Sequence, residues 1–326
     1  MRILVTGATG FIGGALVGRL LSKGATVRIL VREPDSATHL IENGVEVVQG
    51  DVTDPGSCGN AMKDIDLVFH CAGVLGGWGK PESLFWNVNF EGTKNMLEAA
   101  RKADVNRFVH ISSCGIFGPL EDGEAADDNH AYNPKNIYEK TKAEAEKLAL
   151  RYAKEGLNTV ILRPEFVYGP GDLHLLPLFR TIRTGKFVFF GGGRSVLHPT
   201  YVDDVLDAMM ATSSEPEAVG QAFNIAGEKT VTVKEFISEM AKAMGCGIPS
   251  MDMPVIVAKA AGILLENTWG LIAKPPLTVS QVGYLSENRA FRIEKAKRML
   301  GSAPRICLEE GMKRTVEWYR QHNMLG

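Results

Sequence analysis

Val5-Thr6-Gly7-Ala8-Thr9-Gly10-Phe11-Ile12-Gly13-Gly14 ends a short apolar run and opens a helix-period stretch, Gly13 to Ser22. A glycine cluster placed between strand and helix reads as a dinucleotide-binding loop. Gly7 permits the tight turn, Gly10 lets the backbone approach a pyrophosphate, and Gly13 allows the helix to pack closely on the strand. The anion then meets free N–H groups and the positive end of a helix dipole. A glycine-rich turn with no ligand is the alternative. Candidate cofactor contacts here are Gly7, Thr9, Gly10, Phe11 and Ile12.

Beyond this loop, short β-branched runs alternate with longer helix-period stretches. Ile3 to Thr6, Thr26 to Val31, Val45 to Gln49, Leu67 to His70, Phe108 to Ser112 and Thr159 to Arg163 read as strands. Gly13 to Ser22, Asn89 to Lys102 and Tyr138 to Lys154 read as helices. Strict alternation implies right-handed crossovers, and so an α/β fold with a doubly wound parallel sheet of Rossmann type. Ligands of such sheets sit at the carboxyl ends of the strands. After Pro164 the rhythm loosens. Residues 1–170 are expected to form the dinucleotide-binding domain and residues 171–326 mainly a smaller C-terminal substrate-binding lobe, with parts of 200–230, notably Val202 to Ala211 and Ala222 to Ile225, returning to the sheet.

The chain has 326 residues, 45% of them apolar, and 36 Lys plus Arg against 38 Asp plus Glu. That is the composition of a soluble globular protein with no electrostatic footprint for nucleic acid. Five cysteines, at positions 58, 71, 114, 246 and 307, show no metal-ligand spacing, so neither a zinc site nor a disulfide framework is expected, and the chain reads as cytoplasmic. The N-terminal apolar run is too short for a signal peptide, and Lys259, Glu266 and Asn267 interrupt the apolar stretch from Met253 to Ala273. No membrane span is expected.

Tyr138-Glu139-Lys140-Thr141-Lys142 places a phenol and an ammonium four residues apart, on one face of a helix. A tyrosine of ordinary pKa, about 10, is a poor proton donor or acceptor at neutral pH unless a cation stabilises its phenolate, and Lys142 is the expected cation. The strand before it delivers Ser112-Ser113 at its carboxyl end, followed by Cys114-Gly115-Ile116-Phe117-Gly118. A carbonyl that gains hydride develops oxyanion charge, which hydrogen bonds stabilise and a proton neutralises.

Gly-x-x-Gly-x-x-Gly near the start, Tyr-x-x-x-Lys, His70-Cys71-Ala72-Gly73, Asn87-Val88-Asn89-Phe90-Glu91-Gly92-Thr93, Leu162-Arg163-Pro164 and Val167-Tyr168-Gly169-Pro170-Gly171 follow one another in order. Together they resemble the extended short-chain dehydrogenase/reductase family, over nearly the whole chain. The resemblance implies Ser113, Tyr138 and Lys142 as the catalytic set, with Lys142 also gripping the nicotinamide ribose. It places Asp51 and Val52 near the adenine, Ala72 and Gly73 near the diphosphate or ribose, and Pro164 and Val167 near the carboxamide. Asp51 capping a helix near Pro55 is the alternative for that residue. His70 reads as a packed strand-end histidine.

NAD(P) is the implied cofactor. Where an NAD-selective site usually carries a carboxylate, the second strand ends Val31-Arg32-Glu33, so NADP(H) is favoured over NAD(H), a guanidinium suiting a 2′-phosphate. A solvated Arg32 and a site open to either cofactor is the alternative.

The Met253 to Leu277 segment and the Trp78-Gly79 loop resemble the 3β-hydroxysteroid dehydrogenase and ketoreductase branch, which implies a bulky, apolar small-molecule ketone or alcohol as substrate. A core helix or a dimer contact is the alternative for that segment. Nucleotide-sugar 4-epimerases and dehydratases of the family, with tightly bound NAD, commonly carry an Arg where Leu197 stands, although Arg194 is near. That activity, and a non-catalytic NAD(P)-binding sensor, are the rival functions. Asp203 and Asp204 are expected to cap a helix, Arg289 and Arg292 to form solvated salt bridges, with a contact to substrate as the alternative, and a homodimer is what the family likeness implies.

Overall fold

The structure is a computed structural model and describes residues 1–325. Seven strands form one sheet: β1 (Arg2–Thr6), β2 (Thr26–Val31), β3 (Glu46–Gln49), β4 (Leu67–His70), β5 (Arg107–Ile111), β6 (Thr159–Pro164) and β7 (Ala222–Ile225). Their spatial order is β7-β6-β5-β4-β1-β2-β3, with every neighbouring pair parallel. Chain order reverses between β1 and β4, so the crevice at that point opens above Thr6 and His70.

Helices cover both faces, which explains the continuous apolar runs of the strands. Ile3, Val5, Phe69, Val109, Val160 and Leu162 face one core, and Leu4, Val68, Phe108 and Ile161 face the other. The period-two alternation divides each strand between the two layers. Most expected strand boundaries lie within one residue of those observed, because burial on both sides makes each strand a largely apolar run that stops at glycines and polar residues.

Three helices matter most for the crevice: α1 (Phe11–Ser22), α2 (Gly92–Lys102) and α3 (Ile137–Lys154). Two of the segments expected to return to the sheet do so differently. Ala222–Ile225 is the seventh strand, whereas α4 (Val202–Thr212) is a helix tied to α1 by Arg19, which reaches Asp203 at 2.6 Å and Asp207 at 2.8 Å. Asp203 and Asp204 do not cap it. Tyr201 holds the N-cap position with no side-chain bond, and the two acids sit in the first turn, Asp204 accepting from the Arg305 backbone N–H at 2.9 Å.

Beyond β6 come three short strand pairs and the helices α5 (Val255–Asn267) and α6 (Val279–Ser286). The chain after α6 returns toward the segment before α3 through bridges from Leu120 to Asn288 and from Ala126 to Phe291. Among the described residues no helix is long and apolar enough to cross a membrane.

Candidate active site

The glycine loop is built by close approach. Gly7 takes φ +69°, and a Cβ there would lie 2.8 Å from the Ala72 backbone nitrogen. A Cβ on Gly13 would lie 2.2 Å from the Gly7 carbonyl oxygen, so α1 reaches β1 only because that side chain is missing. Gly10 is the N-cap of α1, with no side-chain cap and no acid in the first turn. The helix N–H groups therefore face the crevice without a competing carboxylate. Thr9 and Gly10 are exposed, and Phe11 and Ile12 are half-buried.

Arg32 and Glu33 are both exposed just past β2. Asp51 accepts from the Thr53 backbone N–H at 2.9 Å, which shapes the turn after β3. It does not cap the helix Pro55–Ala61; Asp54 does, accepting from the N–H groups of Gly56 and Ser57. Val52 is buried where a Cβ on Gly92 would meet it at 2.8 Å. Past β4, the Ala72 N–H donates to the Thr6 hydroxyl at 3.2 Å, and Gly73 lies beside the Asn89 amide.

Asn89 is the residue to which sequence reasoning assigned no role. It lies in a π-helical turn, Trp86–Glu91, that precedes α2. The wider turn carries its amide inward, where the oxygen accepts from the Val74 N–H at 2.7 Å and the nitrogen donates to the Thr141 hydroxyl at 3.1 Å. It thus ties the chain leaving β4 to α3. Such turns occur often at functional sites, but the asparagine pattern alone does not reveal one.

The start of α3 is fixed by reciprocal bonds. The Asn136 side chain accepts from the Glu139 N–H at 2.9 Å, and the Glu139 carboxylate accepts from the Lys135 N–H at 2.7 Å. Tyr138 therefore stands in the first turn, half-buried, with its phenol close enough to the Ser113 hydroxyl for that hydroxyl to lower its pKa. Ser113 also caps the turn Cys114–Phe117, accepting from the Gly115 N–H at 3.1 Å. One turn further along α3, buried Lys142 donates to the Ile111 carbonyl at the end of β5.

Two charge expectations need correction. Lys142 does not make the Tyr138 phenol acidic here: burial pushes that phenol up to about 12, Glu165 and Glu139 add to the rise, and the Ser113 hydrogen bond opposes it. Burial also pulls the Lys142 ammonium down to about 8. The salt bridge expected of Arg289 is present but buried rather than solvated, with Glu139 at 3.3 Å, whereas Arg292 is exposed. His70 is fully buried, its ring nitrogens 2.8 Å and 3.0 Å from the hydroxyls of Thr6 and Thr93, and burial lowers it to about 3. Among the described residues no cluster of ligating side chains could hold a metal ion.

The ends of β1, β4 and β5 thus gather the glycine loop, Ala72, Gly73, Ser113, Tyr138 and Lys142 around one crevice. Pro164 ends β6 and Val167 follows just past it, Arg32 and Asp51 stand past β2 and β3, and Val52 is buried in the core against Gly92. A free helix N-terminus beside a phenol, a hydroxyl and an ammonium is the apparatus of a dinucleotide-dependent oxidoreductase.

A model of the NAD dependent epimerase/dehydratase family matches residues 3–226. The chain is 31% identical to a 2-alkyl-3-oxoalkanoate reductase of Shewanella oneidensis, over 95% of this chain and 84% of that one. It is 30% identical to a 3 beta-hydroxysteroid dehydrogenase/Delta 5-->4-isomerase of Mycobacterium tuberculosis, over 98% and 90%. Its structure resembles that of the UDP-glucuronic acid 4-epimerase of Bacillus cereus in complex with NAD, with TM-score 0.80, 25% identity and 99% of each chain covered. The chain belongs to the NAD-dependent epimerase/dehydratase family, as an oxidoreductase of the extended short-chain dehydrogenase/reductase type.

Proposed function

We propose that this enzyme uses NADP(H) to interconvert a bulky, apolar ketone and its secondary alcohol, with Tyr138 as proton donor and acceptor. The observation that carries the substrate class is an uncovered apolar wall. Ile256, Val257, Ile263 and Leu264 on α5, and Trp269 and Ile272 after it, are exposed. Only Ala258 and Gly262 of α5 are buried, so it is not a core helix. Trp78, in the loop beyond Val74, packs on Gly270, where a Cβ would meet its ring at 2.5 Å. The wall therefore joins the loop that Asn89 holds beside the crevice, and an apolar lining favours an apolar substrate.

Leu197 supports the same choice. It is fully buried in a pairing with Val231, which leaves no cation at the place where sugar-nucleotide enzymes of the family carry one. The keto-acid substrate named for the Shewanella relative points the same way.

The residues fit the cofactor. The uncapped, acid-free end of α1 suits a diphosphate, the close approaches at Gly7 and Gly13 leave backbone N–H groups bare, and exposed Arg32 suits a 2′-phosphate. When bound, the nicotinamide supplies or takes the hydride. Ser113 orients the substrate oxygen, and Tyr138 holds the proton that the oxygen needs. Lys142 is the residue that would hold the ribose hydroxyls.

Arg32→Ser should weaken NADPH binding by roughly tenfold or more while changing NADH binding little, as expected for one charged hydrogen bond. Fluorescence titration with both cofactors checks this; equal losses would contradict it. For the reaction itself, the purified protein should oxidise NADPH with 2-alkyl-3-oxoalkanoates or 3-ketosteroids and leave UDP-glucose and UDP-glucuronic acid unchanged. Interconversion of a nucleotide sugar without net cofactor consumption would overturn the proposal.

A further inference from the structure

Beside Tyr138 lies a buried polar cluster that the proposed chemistry does not use. Glu165 follows Pro164 at the end of β6, its side chain is 3% exposed, and its Oε1 has no hydrogen-bond partner. Its backbone is held at both ends: the N–H donates to the Ile225 carbonyl at 2.9 Å, and the carbonyl accepts from the Thr200 hydroxyl. The next residue, Phe166, takes φ +35°, unusual for a residue with a side chain, and is locked by rings of Tyr284 at 5.5 Å and Phe236 at 5.0 Å.

The charged and titratable groups facing it come from three directions. Tyr138 and Glu139 face it from α3, Cys114 from the turn after β5, and Tyr284 and Arg289 from α6 and the chain after it. Arg289 lies 4.8 Å over the Tyr284 ring, pairs with Glu139 at 3.3 Å and lies 3.9 Å from Glu287, and leaves its Nε without a partner. One guanidinium therefore pairs with two carboxyls while a third, Glu165, lies within its field. Glu165 is the one with no ion pair to it, and a buried acid in that position takes up a proton. Burial pushes Glu165 up to about 7 and Glu139 adds to the rise, while Arg289 and Tyr284 pull it back.

We propose that Glu165 is a positioning residue whose buried carboxyl exchanges a proton with solvent and, through its charge, sets the strength of the Tyr138 phenol as an acid. The proposal rests on the reading of Tyr138 as the proton donor. With the carboxyl protonated, the phenol has a neutral neighbour and gives its proton to the substrate oxygen more readily. Loss of the carboxyl proton places a negative charge beside the phenol, raises its pKa and slows ketone reduction.

The test places 3-fluorotyrosine at position 138 and follows its fluorine resonance between about pH 5.5 and 8, in otherwise wild-type protein and with Glu165→Gln. The wild-type resonance should show an inflection near neutral pH that Glu165→Gln abolishes. In parallel, kcat for ketone reduction by the wild type should fall to a lower plateau across the same inflection. Glu165→Gln should keep the higher rate throughout, with KM for NADPH unchanged. An inflection of equal size in both proteins would overturn the proposal.

The fluorine signal needs no substrate. If no ketone is reduced yet Glu165→Gln removes the inflection, the coupling stands and the reading of Tyr138 fails. Should Glu165→Gln not fold, Tyr284→Phe removes a group that pulls Glu165 down and should move the inflection to higher pH; an unmoved inflection would again overturn the proposal.

Discussion

Tyr138→Phe should lower turnover by about 10²-fold or more, the range that a positioned acid or base contributes, while leaving NADPH affinity within about twofold. The asymmetry follows from the geometry. The phenol hydroxyl stands by Ser113, just past β5, whereas the glycine loop is shaped by Gly7, Gly13 and the uncapped start of α1. Removing one oxygen takes away the proton donor and leaves the anion-binding turn untouched. Steady-state kinetics with the ketone identified by the substrate screen, paired with fluorescence titration of NADPH, checks this. Parallel losses in rate and affinity would mean that the substitution disturbs the fold.

The second large effect concerns what holds α3 in place. Glu146 is fully buried and accepts from Arg163 at 2.5 Å and 2.9 Å and from the Tyr132 hydroxyl at 2.6 Å. Arg163 is 2% exposed and stands on β6, so the pair locks the helix of Tyr138 and Lys142 onto the strand that ends beside Glu165. Glu146→Gln keeps the shape but leaves the guanidinium without a counter-charge, and should destabilise the protein by about 3–5 kcal/mol. The Arg163 bond to the Asp128 carbonyl at 2.8 Å remains but is too weak to compensate. Replacing both partners, Glu146→Leu with Arg163→Met, should cost much less than the single change, because no charge is then stranded. Urea denaturation of the three proteins decides; a single variant as stable as wild type would show that the pair carries no such penalty.

The sheet was legible because its physics is local. β-branched runs buried on both faces end where glycines and polar residues begin, so the expected strand from Thr26 to Val31 and the observed β2 coincide. The glycine loop was legible for the same reason, since a turn followed by a helix start is written in neighbouring residues. Wherever the sequence was silent or misleading, contacts between distant segments decide. Arg289 looked solvated because its partner Glu139 lies 150 residues away, and the pair forms only when the chain after α6 returns to α3. Asp203 resembled a cap, but Arg19 of α1 claims it. The π-helical turn that carries Asn89 has no local signature, and its amide is placed by Val74 and Thr141.

The phenol shows the same limit. Spacing of four along a helix does put Tyr138 and Lys142 on one face, but burial outweighs what spacing implies. The Lys142 ammonium turns to the Ile111 carbonyl, and the charges that raise the phenol are the carboxylates of Glu165, just past β6, and of Glu139 on its own helix.

The central claim is that Tyr138 delivers the proton to a substrate oxygen beside the nicotinamide. A crystal structure of the ternary complex with NADP⁺ and the ketone from the screen tests it most directly. The expected result is the Tyr138 Oη within about 2.6–3.2 Å of the ketone oxygen, with the Ser113 hydroxyl as its second partner. A ketone oxygen held by other groups, with the Tyr138 Oη beyond hydrogen-bond reach of it, would contradict it.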